Sequence, residues 1–181
     1  MIGNNAQRWG FVSIGLHWLT ALLIIGLSIV GLLMTELPNS PFKMQVYALH
    51  KSFGLTVLAL TVLRLGWRFM AGTPESLPGP RWQALAAKLV HWLMYFLLFA
   101  MPLSGWLFNS AAGFPLRWFD LFALPKLLTG YNPELKNLAK ELHETGFYLL
   151  AALLLIHAGA ALYHHYFKRD QTLNRMIGKT S

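Results

Sequence analysis

LAKELHETGFYLLAALLLIHAGAALYHHYF, residues 138–167, is apolar for most of its length and yet carries four of the chain's seven histidines. Two of them, His143 and His157, stand fourteen residues apart. At ~1.5 Å rise and ~100° per residue, that spacing separates them by about 21 Å along a helix and brings them to within roughly 40° of one face. Two imidazoles then look the same way at two depths. A helix of this kind can serve two metal centres stacked across a membrane, provided that other helices bring a second imidazole to each depth.

The rest of the chain has the composition for such helices. Of 181 residues, 55% are hydrophobic and 12% charged, the profile of a polytopic membrane protein rather than a water-soluble domain. Four runs reach the ~20 residues that cross ~30 Å of hydrocarbon: Phe11–Met34, Tyr47–Met70, Leu85–Phe108 and Leu138–Phe167. The expected fold is an all-α bundle of four transmembrane helices in a lipid bilayer, with residues 1–181 as one domain. The first run is too long for the apolar part of a signal peptide and no small-residue cleavage site follows it, so it is expected to be retained.

A net charge of +8 and a pI near 10.0 do not indicate nucleic acid, because the Lys and Arg sit at helix ends and in loops rather than along one basic stripe. With the N-terminus inside, nine of the fifteen basic residues fall on the inner side and six on the outer. That asymmetry predicts cytoplasmic N and C termini. The chain has no cysteine, which excludes disulfides and thiolate-ligated metal, iron–sulfur clusters among them.

Each span carries ionisable groups at depth, where an unpaired polar side chain costs several kcal/mol and marks a candidate site. His17 lies about two turns into the first helix, and His50 lies near the outer start of the second. With His143 and His157 on the fourth, two cross-helix pairs result: His50 with His143 in the outer half, His17 with His157 in the inner half. Paired neutral imidazoles suit the iron of a haem gripped between two helices. Zinc needs a third or fourth ligand, for which the outer pair offers only Glu141 or Glu144. The alternative is that the histidines are hydrogen-bonded packing residues.

His91, on the third helix at a similar inner depth, competes with His17 or His157 as a ligand. Gly54 and Gly146 lie about one turn from His50 and His143, where they either let a flat macrocycle lie against the helix or serve ordinary helix packing. Arg64 and Arg68, four apart on one face, either snorkel to the headgroups or neutralise haem propionates. Pro102 is expected to kink the third helix. His164, His165, Lys168 and Arg169 form either an interfacial anchor or a site that receives a quinone carbonyl and delivers protons. The aromatics between Asn109 and Asn137 suggest a short helix or loop lying in the outer interface.

Four segments, IGLHW at 14–18, LHKSFG at 49–54, ELHE at 141–144 and IHAGAALYHHYF at 156–167, resemble the bacterial cytochrome b561 family over essentially the whole chain. The resemblance implies a multi-pass protein of the bacterial inner membrane with two b-type haems, and His17, His50, His143 and His157 as axial ligands of the haem irons. One branch of that family passes electrons from periplasmic superoxide to ubiquinone, and related b-type subunits serve dehydrogenases or hydrogenases. The first of these implies superoxide and quinone as partners, reaction at the haem held by His50 and His143, and an anion attractor beside it, for which Lys51 is placed. Five outer carboxylates reduce the net outer charge to +1, so any steering must be local. The second implies a periplasmic redox partner protein. A histidine-lined metal-binding or transport protein is the non-enzymatic alternative.

Overall fold

The computed structural model describes residues 1–179. Helix α1 spans Phe11–Glu36, α2 Pro41–Ala71, α3 Arg81–Ala111 and α4 Pro133–Tyr163. All four are long and apolar enough to cross a membrane, α4 together with the turn of π-helix His164–Lys168 that ends it. Helices α2 and α4 start ahead of their apolar segments because side-chain caps, not hydropathy, set those ends. Ser40 accepts the Lys43 N–H ahead of Pro41, and Asn132 accepts the Leu135 N–H ahead of Pro133. A side-chain acceptor followed by proline is a strong helix start. Pro102 lies within α3, which runs unbroken through it.

Consecutive helices are antiparallel. One end of the bundle gathers the N-terminus, the 72–80 connection and the C-terminal segment: Asn4 donates to Gly72 O, Glu75 N–H to Ala6 O, and Lys168 to Gln83. We refer to it as the terminal end. The other, the hairpin end, carries strands β1 (Leu116–Trp118) and β2 (Phe122–Leu124), paired antiparallel with Leu116 opposite Leu124. A short helix or plain loop was the expectation there. The hairpin forms because α2 supplies its partners: Ser52 Oγ accepts the Phe119 N–H at 3.0 Å and Thr56 Oγ1 accepts Trp118 Nε1 at 3.1 Å. Those bonds, with the Arg117–Asp120 ion pair at 2.9 Å, hold Phe119 and Asp120 at positive φ. For a phenylalanine this conformation is disfavoured unless tertiary contacts impose it.

The core sits at mid-depth, where Ile24, Val57, Leu97, Leu98 and Leu150 pack together with Leu27, Met101, Leu153 and Leu154 around them. Every spanning helix contributes to it. Most other large apolar side chains are exposed on the outside of the bundle, as a lipid-facing surface requires.

Candidate functional site

The core residues define a register. Steps of seven residues rotate a helix by only ~20°, and on each spanning helix three residues seven apart line one face at three depths. They are His17, Ile24 and Gly31 on α1; His50, Val57 and Arg64 on α2; His91, Leu98 and Gly105 on α3; His143, Leu150 and His157 on α4. The middle member of every set belongs to the apolar core. The outer members form two polar levels, about 21 Å apart along a helix.

At the hairpin-end level two histidines face two glycines. The His50 and His143 rings are 6.3 Å apart between centroids, with planes at 73°. A Cβ on Gly31 would meet His50 Cε1 at 3.3 Å, and one on Gly105 would meet His143 Cε1 at 3.4 Å. Each ring is thus seated directly against the backbone of a neighbouring helix. His143 Nδ1 lies 3.0 Å from the Met101 carbonyl. A carbonyl only accepts, so Nδ1 carries the proton and Nε2 keeps its lone pair, the form in which imidazole binds a metal. His50 Nδ1 is buried without a partner among the described residues, which costs ~1–3 kcal/mol in a site that does nothing else.

Beside these rings opens a cleft of about 280 Å³ lined by Gly31, His50, Gly54, Val57, Met101 and His143, among others. Its walls are mostly apolar, as at sites that take a bulky planar group. Gly54 has nothing within 4 Å of where a Cβ would stand, so it leaves the cleft open. Gly146 does not: its Cβ position lies 2.7 Å from Met101 Sδ, and it serves helix packing.

At the terminal-end level the four positions are His17, Arg64, His91 and His157. The His17 and His157 rings are 6.2 Å apart, and those of His91 and His157 are 5.3 Å apart. Two rings that faced each other across one metal, with a metal–imidazole bond of about 2 Å on each side and roughly 1.2 Å from nitrogen to ring centre, would stand about 6.4 Å apart. His17–His157 and His50–His143 match that span, whereas His91–His157 is about 1 Å short. The spacing of both matched pairs suits a metal held between two facing imidazoles. No group of three or more His, Cys, Asp or Glu among the described residues forms a cage for a bare metal ion.

Arg64 Nη2 lies 2.8 Å from His17 Nδ1. A guanidinium can only donate, so this nitrogen accepts and the His17 proton sits on Nε2. Binding a metal through Nε2 requires Arg64 to release the ring. The Arg64 and Arg68 guanidinium groups lie 5.5 and 6.0 Å from the Tyr95 ring centre, and neither pairs with a carboxylate among the described residues. Two cations so placed favour an anion at this level.

Lys51 is half-buried and donates to Asn109 Oδ1 at 3.2 Å. It lines a second cavity under the hairpin with Ser52, Arg117, Phe119 and Asp120, next to the cleft rather than in it. The other hairpin-end cations are engaged. Lys43 caps the carbonyls at the end of α1, Arg117 pairs with Asp120, Lys140 with Glu144, and Lys126 donates to Gly113 O. Lys136 lies over Tyr131.

At the end of α4, His164 and His165 belong to the π turn, Lys168 reaches Gln83 on α3, and Arg169 takes a left-handed φ of 53° to reverse the chain. His164 Nδ1 bonds Asp170 Oδ2 at 2.5 Å. Partial burial raises the Asp170 carboxyl, but hydrogen bonds from His164 and Thr172 outweigh it and hold it below the usual carboxylate range.

The sequence matches the family model described as prokaryotic cytochrome b561 over residues 8–179. It is 34% identical over 180 residues to Cytochrome b561 homolog 2 of Escherichia coli K12, covering 98% of this chain and 95% of that protein. It is 35% identical over 181 residues to Cytochrome b561 homolog 1 of the same organism, covering 94% of this chain and 97% of that one. A probable superoxide oxidase CybB of Yersinia pestis is 26% identical over 174 residues, covering 96% and 97%.

Proposed function

The chain belongs to the prokaryotic cytochrome b561 family of bacterial inner-membrane, haem-binding electron-transfer proteins, and from that premise we propose that it holds two b-type haems and carries electrons from superoxide to ubiquinone. The observation that supports this reading best is the repetition of one geometry at two depths, with ring separations of 6.3 and 6.2 Å on either side of an apolar core. Bound haem supplies one-electron chemistry at its iron.

The chain's own residues do the rest. His50 and His143 would hold the haem at the hairpin end, with Gly31, Gly105 and Gly54 clearing room for rings and macrocycle. His17 and His157 would hold the other, with Arg64 released from His17 to meet propionates beside Arg68. The terminal end, where both chain termini lie, is the cytoplasmic one in this reading, which the excess of Lys and Arg on that side supports. The hairpin end then faces the periplasm. Two superoxide anions give up one electron each to leave O2, and one quinone takes two electrons and two protons. His164, His165, Lys168 and Arg169 would meet the quinone near the inner face.

Lys51 is the anion attractor. It adjoins His50 in sequence and has no carboxylate partner among the described residues, whereas Arg117 and Lys140 do, so it is the cation that would act locally at an overall outer charge of only +1. Reversing it is expected to slow reaction with superoxide by ~10-fold or more at low salt, with less effect on reaction with quinone. Stopped-flow kinetics on Lys51→Glu with each reactant checks this, and equal loss in both directions contradicts local steering. Gly31 offers a second check. A valine there cannot fit 3.3 Å from His50 Cε1 without displacing the ring, so Gly31→Val is expected to lose the hairpin-end haem while keeping the other, as haem per chain will show.

The reaction itself is tested by supplying purified protein with superoxide and ubiquinone and following quinol formation. Quinol formed in proportion to superoxide supplied is expected. A protein that carries two haems but reduces no quinone under superoxide belongs instead to the relay class, which takes electrons from a partner dehydrogenase.

A further inference from the structure

The spanning helices pack unevenly. The main seams are α3 with α4 and α1 with α2, and α2 also meets α3, whereas α1 has no comparable seam with α4. Yet the terminal-end pair takes one histidine from α1 and one from α4 and sets them 6.2 Å apart. No direct α1–α4 seam sets that distance.

The C-terminal segment bridges the two helices. After the π turn, Arg169 reverses the chain at φ 53°. The Asp170 carboxylate takes His164 Nδ1 on one oxygen and the Thr172 N–H on the other, which fixes the start of α5 (Thr172–Met176). The segment then crosses to α1. The Met176 carbonyl accepts Trp18 Nε1 at 2.8 Å, a Cβ on Gly178 would lie 3.9 Å from Ile14 Cδ1, and Arg175 Nη1 donates to Glu75 O at 2.8 Å. Trp18 follows His17 directly, and the two rings meet edge to face at 5.3 Å. A tryptophan at a membrane surface ordinarily gives its N–H to water or lipid. Here it is spent on a residue 158 positions away, and Arg169, a non-glycine residue, stands in the left-handed region between α4 and that contact.

We propose that residues 169–179 form a clamp that holds α1 against α4 and so positions His17 opposite His157. The clamp has two fastenings, Trp18 with Met176 on α1 and Asp170 with His164 on α4. This rests on reading the terminal-end pair as a haem centre, and Trp18 and Asp170 act through the histidines as positioning residues.

The test uses full-length Trp18→Phe, which keeps the ring and removes the donor, Asp170→Ala, and the two combined. Haem per chain is read from the reduced-minus-oxidised spectrum. Because the chain has no native cysteine, spin labels can be placed on Leu22 of α1 and Ile156 of α4, 65% and 57% exposed, and their separation measured by pulsed EPR with and without haem. The combined variant is expected to retain the terminal-end haem roughly thirtyfold less well, as for the loss of two ordinary hydrogen bonds, and to show a broadened α1–α4 distance. The hairpin-end haem stays, and so serves as the control for folding. An unchanged distance distribution overturns the clamp, whether or not haem is lost. If the wild type binds no haem at this level the haem reading fails, while the label distance still decides the clamp.

Discussion

Replacing His143 by Ala is expected to remove one haem of two, the one at the hairpin end. His143 is the better prepared of that pair, since the Met101 carbonyl 3.0 Å from Nδ1 fixes the proton there and leaves Nε2 as a ligand. Its removal would take away one of the two imidazoles proposed to hold that haem and would leave a void against Gly105. Loss of an outer-shell partner alone costs metal sites 10–100-fold in affinity, so loss of the ligand itself is expected to empty the site at micromolar protein. The terminal-end haem stays, because the apolar layer of Ile24, Val57, Leu98 and Leu150 separates the two levels. A variant that keeps both haems contradicts the pairing of His50 with His143.

The second large effect separates His17 from His91. Both face His157, but only His17 stands at the span of a shared metal, 6.2 Å against 5.3 Å for His91. His17→Ala is therefore expected to lose the terminal-end haem, and His91→Ala to keep both. His91 is the α3 member of that level, and its closeness to His157 suits a neighbour better than a ligand facing it across a metal. The reverse result, a haem lost from His91→Ala and kept in His17→Ala, makes His91 the ligand and frees His17 to remain with Arg64.

The spans and the two depths of histidine were legible because hydropathy and ~1.5 Å rise per residue are local properties. The helix ends were less so, since an apolar count stops at the first polar residues while Ser40 and Asn132 start their helices beyond them. Gly31 and Gly105 escaped notice although the signal was present. Stepping seven residues from His17 and from His91 through Ile24 and Leu98 lands on them, but a glycine in a membrane helix carries no mark of what it faces. Gly54 and Gly146 looked alike in sequence and differ only in what the neighbouring helix puts opposite, open cleft in one case and Met101 in the other.

The hairpin at 116–124 was not readable, because its turn holds no Asn-Gly or Gly-rich signal and depends on Ser52 and Thr56 of α2. The clamp was equally hidden. Its polar tail lacks periodicity, and the bond that gives it meaning joins residues at opposite ends of the chain.

The central claim, one haem at each of two imidazole pairs, is tested most directly by a reduced-minus-oxidised visible spectrum of detergent-purified protein with haem counted per chain. Two b-type haems per chain are the expected result. A colourless protein that takes up no added haem contradicts it and returns the histidines to packing or metal transport.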